Sequence, residues 1–151
     1  MRQKTAAVSL SADALLRLPV RLRGIAIGRP VDVILDLDGR RALGLDLLCR
    51  DETHRFLPLS AASVGGDEIA VSSALTLLSA DELAFYRRQA RTLRDMRGAR
   101  VRRGTRDVGR FQDVLIGADG EITDVVVDGG GRIPVGDAVQ VSVDPARVDA
   151  A

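Results

Sequence analysis

The chain has 151 residues, 46% of them hydrophobic, and a net charge of +1. A single cysteine, Cys49, excludes an internal disulfide and any thiolate metal cage. With 3% aromatics and no Trp, the chain lacks the ring platforms on which single-stranded nucleic acid stacks, so its cores must be built from Val, Ile, Leu and Ala. No run approaches the ~20 apolar residues of a membrane helix. Met1 to Val8 is not followed by the long apolar stretch of a signal peptide, so the expected location is the cytoplasm.

Residues 1–17 are polar and rich in Ala and Ser, which predicts a loose lead-in, with Ser11 capping a short turn through Leu16. Leu22 to Ile27 leads into a strand in which Val31, Val33 and Leu35 alternate with Asp32, Ile34 and Asp36. Asp38-Gly39 signals a tight turn, and Ala42 to Cys49 is the return strand of a hairpin. Short strands follow at Arg55 to Leu59 and at Asp67 to Ser72. Ser79-Ala80-Asp81-Glu82 is a capping box, and it opens a helix expected to run from Ala80 to about Arg94. Leu83, Tyr86, Ala90 and Leu93 lie on one face of that helix, and Gly98 ends the stripe.

The pattern then returns. Ile27-Gly28-Arg29, Asp32-Val33 and Asp38-Gly39 recur 81 residues later as Val108-Gly109-Arg110, Asp113-Val114 and Asp119-Gly120. Leu57-Pro58-Leu59 corresponds to Ile133-Pro134-Val135, and Gly66-Asp67 through Val71 to Gly136-Asp137 through Val141. Each copy is near the lower size limit for independent stability, so the halves are expected to pack on each other or on a partner, and a homodimer is one expectation.

These elements resemble the PRC-barrel family, named for the cytoplasmic part of the photosynthetic reaction-centre H subunit and found also as the C-terminal domain of the ribosome maturation factor. The likeness covers about residues 18–76 and 94–145. It implies a mainly β fold: two small antiparallel PRC-type β-barrels, at 18–78 and 96–145, forming an internal repeat joined by one α-helix at 79–95, with a tail at 146–151. The family supplies protein-binding or regulatory surfaces and has no shared catalytic residues, so the resemblance implies no catalytic, cofactor or metal residue here.

Candidate chemistry is sparse. Cys49 and His54 would need hydrogen-bond reach and an orienting third group to act as a nucleophile pair. Asp46, Asp51, Glu52 and His54 would need to converge to hold a hard cation. Asp32 and Asp113 are repeat-equivalent and could pair as acid and base, but fold-making hydrogen bonds are the favoured reading. Gly65-Gly66 and Gly129-Gly130-Gly131 are turn glycines, since neither is followed by Lys-Ser/Thr.

The charge map is the most distinctive feature. Residues 1–86 sum to −1, residues 87–106 carry nine Arg and one Asp, and residues 107–151 sum to −6. Arg87, Arg88, Arg91, Arg94, Arg97, Arg100, Arg102 and Arg103 form the candidate interaction surface, continued by Arg106. Three readings of it compete: pairing with the acidic part of the same or a twin molecule, a protein partner, and RNA or anionic lipid. The leading expectation is a non-enzymatic cytoplasmic adaptor or regulatory module acting by protein–protein interaction. The alternative is an RNA- or ribosome-associated factor.

Overall fold

Apolar alternation between turn residues dictates strands through most of the chain, and the computed structural model describes them over residues 10–136 and 139–142. The order is β1 (Leu10–Ser11), α1 (Ala12–Leu15), β2 (Val20–Leu22), β3 (Ile25–Asp36), β4 (Arg41–Cys49), β5 (His54–Pro58), β6 (Ala62–Val64) and β7 (Ile69–Val71). It continues with α2 (Ala80–Gln89), β8 (Arg91–Thr92), α3 (Leu93–Met96), β9 (Arg100–Arg103), β10 (Arg106–Ile116), β11 (Ile122–Val127), β12 (Arg132–Pro134) and β13 (Val139–Ser142). The protein is mainly β, with two curled sheets, one of them a half-barrel.

The first sheet has the order β5-β4-β3-β2-β7-β6 and the second β12-β11-β10-β9-β13. The pairing register follows the sequence repeat closely through four strands. Leu45 lies opposite Leu57 in one sheet, and Val125 opposite Ile133 in the other. Between the equivalent pairs Leu35–Ala42 and Ile116–Ile122 the connection is one residue shorter in the second copy. Arg40 (φ 57°) and Gly120 (φ 89°) therefore take the same left-handed role, although the sequences align Gly39 with Gly120. In the first copy the positive φ falls after Asp38-Gly39, and the turn closes through the Arg40 N–H to the Leu37 carbonyl at 3.2 Å.

The closing strand departs from the repeat. β7 runs parallel to β2, whereas β13 runs antiparallel to β9. The cause is chain length. After β5 the first copy has room for β6 and its hairpin with β7, which reverses the chain once more. After β12 only four residues precede β13, so its strand arrives in the opposite sense. Asp137 and Ala138, matched above to Asp67 and Glu68, lie outside the described residues, as do residues 1–9 and the expected tail at 146–151.

The segments preceding the two copies are exchanged. β1 pairs with β10, Leu10 opposite Ile116, and β8 pairs with β3, Thr92 opposite Ile34. Each two-residue strand runs directly into a one-turn helix whose first residue position is capped by a hydroxyl: Ser11 Oγ accepts from Ala14 N at 3.0 Å and Thr92 Oγ1 from Asp95 N at 3.1 Å. Within the lead-in expected to be loose, Leu10 to Leu15 form β1 and α1, and Ala12 and Leu15 are buried in the core. The helix expected to reach Arg94 stops at Gln89. Ala90 is extended (φ −129°, ψ −170°), since Arg91 and Thr92 are drawn onto the β3 edge.

One apolar cluster draws on both copies, from Val33, Leu45 and Ile69 to Phe111, Val114 and Val125, with Leu93 and Met96 between. Phe111 is its one buried aromatic, as the composition required. A second, smaller cluster of Ile34, Phe56 and Leu83 seats α2 on the outside of the first sheet, and there Tyr86 stacks on Phe56 at 4.4 Å between ring centroids. The sheets also meet at their hairpin ends through two reciprocal bonds of 2.8 Å, Ala42 N–H to Gly120 O and Ile122 N–H to Arg40 O.

Candidate functional site

Asp32 and Asp113 do not meet as a pair. Each receives the exchanged helix of the other copy. Asp32 Oδ1 accepts from Val33 N at 2.8 Å and from Arg94 N, at the start of α3, at 3.2 Å. Asp113 Oδ1 accepts from Val114 N at 2.8 Å and from Asp13 N, in α1, at 3.2 Å. Burial raises both carboxyl pKa values above the ordinary range, against the lowering effect of these backbone donors. Two acids of equal position thus make equal joints. The repeat could be read in the sequence, but not the distant amide that each acid serves.

Asp46 lies opposite Asp32 across β3–β4 and is also buried. Its two oxygens face different partners: His54 Nδ1 is 2.7 Å from Oδ1, and Arg87 of α2 is 3.7 Å from Oδ2. His54 is thus turned to Asp46, while the Cys49 thiol is directed at the Leu47 carbonyl at 4.0 Å. Burial pushes the Cys49 thiol pKa up, which opposes thiolate chemistry. Asp51 turns to Thr53 instead, accepting from its hydroxyl at 2.6 Å and its N–H at 3.1 Å, and these bonds hold its pKa below the ordinary value. Asp46 and His54 are thus brought together and Asp51 is not. Among the described residues no three His, Cys, Asp or Glu side chains converge as a metal site.

The arginine stretch is split by the end of α2. Arg87 and Arg88 belong to the last turn of α2, where a cation complements the helix C-terminus. Arg91 sits on β8 and Arg94 on α3, so Arg87, Arg91 and Arg94 do not form one helical stripe. Arg100, Arg102 and Arg103 lie on β9. Several of the eight are already engaged within the molecule. Arg94 Nε donates to Val31 O at 2.9 Å, Arg97 pairs with Asp13 at 3.2 Å, and Arg100 Nε lies 3.6 Å from Asp107. Among the described residues Arg88, Arg91, Arg102 and Arg103 make no ion pair, and all four are exposed. Among the described residues the Arg100–Asp107 pair reaches the acidic part of the sequence after residue 106, where Arg97 also acts electrostatically on Asp113.

Two features escaped the sequence reading. Phe85 stands half exposed on α2, edge-on to Tyr86 at 5.4 Å and one turn before Arg88. A cavity of about 690 Å³ opens where the hairpin ends of the two sheets meet, lined mainly by Leu10, Leu15, Leu59, Val64, Ile116 and Gly120. The helical spacing of Leu83 and Tyr86 was legible, but the solvent side of α2 carries no periodic apolar signal that would single out Phe85. Among the described residues no helix is long and apolar enough to cross a membrane.

No protein-family model matches the chain, and no curated protein matches it.

Proposed function

We propose that this chain is a non-enzymatic adaptor or regulatory module of the PRC-barrel type, a tandem pair of small barrels that acts by holding a protein partner. The observation that carries the reading is the outer side of α2. There a half-exposed aromatic ring, Phe85, stands beside Arg88, with Arg91 following at the start of β8, and neither arginine has an ion-pair partner among the described residues. Aromatic and arginine side chains dominate the binding energy of protein interfaces. The polar groups best suited to chemistry are instead occupied in joining elements of the fold: Asp32, Asp46, Asp113 and His54.

The test is capture from a lysate of the native cell with the tagged full-length chain, at low and high salt, comparing wild type with Phe85→Ala combined with Arg88→Glu and Arg91→Glu. A defined protein retained by wild type at both salts and lost by the variant supports the reading. Retention unchanged in the variant removes α2 as the docking element. Arg87 and Arg94 are left intact, because they hold Asp46 and Val31 within the fold.

A further inference from the structure

We infer that the arginine-rich β9–β10 hairpin, with β13 beside it, is a second binding surface, and that its partner is the phosphate backbone of duplex nucleic acid. This inference does not rest on the adaptor reading, because none of its residues lies on α2. β9 runs between β10 and β13, and residues directly opposite each other across strands share a face. Arg100 is flanked by Arg110 on one side and Ser142 on the other, and Arg102 by Asp107 and Gln140. Arg103 lies opposite Arg106 at the closing pair of the β9–β10 hairpin, beside Gly104 at φ +65°. Five arginines thus crowd one hairpin, all of them exposed.

Most of this positive charge is not matched among the described residues. Like charges directly opposite in a ladder repel, and here two such pairs stand at the two ends of β9, Arg100 with Arg110 on one face and Arg103 with Arg106 at the hairpin tip on the other. Asp107 is the only carboxylate within ion-pair distance among the described residues, and it approaches Arg100 alone. The Arg110 guanidinium donates to the Gly98 carbonyl at 3.3 Å, and Asp128 accepts from the Arg110 backbone N–H, not from its side chain. A surface held against its own repulsion in this way is matched by an external polyanion.

The size and composition of the face select the polyanion. Four residues at ~3.3 Å each and three strands at ~4.8 Å spacing make a patch of roughly 13 by 10 Å. A stable protein interface covers ~800 Å² per partner and is anchored by buried apolar or aromatic side chains. The apolar residue between Arg100 and Arg102 is Val101, which is fully buried, and Phe111 is buried as well, so the patch offers no such anchor. The same lack of rings disfavours single strands, which need stacking platforms. A duplex needs only charge: ~13 Å of its axis carries about eight phosphates at one per 1.7 Å. Arginine forks bind phosphate oxygens bidentately, and the neutral donors Gln140 and Ser142 flank them.

With about four net arginine–phosphate contacts, the logarithm of affinity should fall with the logarithm of salt at a slope of about −3.6, or about 150-fold between 50 and 200 mM. The experiment is fluorescence anisotropy of labelled 20-base-pair RNA and DNA duplexes with the full-length protein, with a labelled single strand, phosphatidylserine vesicles and polyglutamate as competitors. Wild type should bind the duplexes with that slope. Arg102→Gln with Arg103→Gln should weaken binding more than tenfold and reduce the slope by about 1.8, while the melting temperature stays level or rises as the opposed charges are relieved. Arg88→Gln with Arg91→Gln, on the α2 side, should bind duplex as wild type does. The proposal is overturned if wild type shows no duplex binding at 50 mM salt, if the β9 variant binds like wild type, or if vesicles or polyglutamate displace the duplex at lower charge concentration than unlabelled duplex does.

Discussion

Replacing Asp32 tests how the two copies are joined. In the folded protein its Oδ1 alone accepts both backbone bonds, from Val33 N at 2.8 Å and Arg94 N at 3.2 Å, and the residue is 4% exposed. Asp32→Ala strands both donors where water has little access. Each unsatisfied buried donor costs about 1–3 kcal/mol, and partial relaxation of the one-turn helix α3 brings the expected loss to about 2–4 kcal/mol. Asp32→Asn keeps an oxygen in the Oδ1 position and removes a charge whose burial is unfavourable, so it should fold with stability equal to wild type or higher at pH 7. Urea unfolding followed by circular dichroism, with the slope against denaturant held in common, measures all three proteins. An Asp32→Ala variant within 0.5 kcal/mol of wild type would refute the joint. So would an Asp32→Asn variant as damaged as Asp32→Ala, since the role would then belong to the charge and not to the acceptor.

The remaining expectations concern pH, packing and backbone. Burial raises the folded pKa of Asp32 and Asp113 above the unfolded value of 3.8, so between those values the folded state binds more protons. Stability from these two groups is therefore greatest below the unfolded pKa and is lost as pH rises through the folded one, and the double Asp→Asn variant should flatten that part of the stability–pH profile. Gly44→Ala should destabilise by about 3 kcal/mol, seen as a lower urea midpoint, because a Cβ there would overlap the Leu57 carbonyl and the Phe56 ring. Glu52 holds φ 68° in an exposed turn, so Glu52→Gly should stabilise by about 1 kcal/mol and raise the melting temperature. Phe56→Ala, which removes the ring beneath Tyr86, should cost about 3–5 kcal/mol, whereas Phe85→Ala on the exposed side should cost far less.

Local signals in the sequence were reliable where the structure they specify is local. Ser79 accepts from Glu82 N at 3.3 Å and caps the start of α2, the first half of the expected box, and Ser11 caps α1. The apolar–Pro–apolar segments pair in matching register in the two sheets. What escaped detection depends on partners far away in sequence. A two-residue strand such as Leu10–Ser11 or Arg91–Thr92 is too short to show alternation, and its existence follows from an edge that Ile116 or Ile34 offers. The same recruitment ends α2 and distributes the arginines over a helix end, a strand and a hairpin, where the helical spacing of Arg87, Arg91 and Arg94 suggested one stripe. The direction of β13 was hidden for a related reason: both copies carry a similar Gly-Asp strand, and the length of chain before it sets its sense.

The exchange of β1–α1 and β8–α3 also governs the order of assembly during synthesis. The first sheet has most of its strands once Val71 has emerged, but the edge of β3 at Ile34 and Leu35 stays open until Thr92 and Arg91 arrive, and Ile34 stays uncovered until α2 does. Leu10 and Ser11 wait longer still, for Ile116 and Leu115, more than one hundred residues downstream. An unpaired apolar edge is a template for association with other chains. The nascent first half therefore keeps the β3 edge exposed until Arg91 and Thr92 have been made, and any product truncated before them retains that open edge for good.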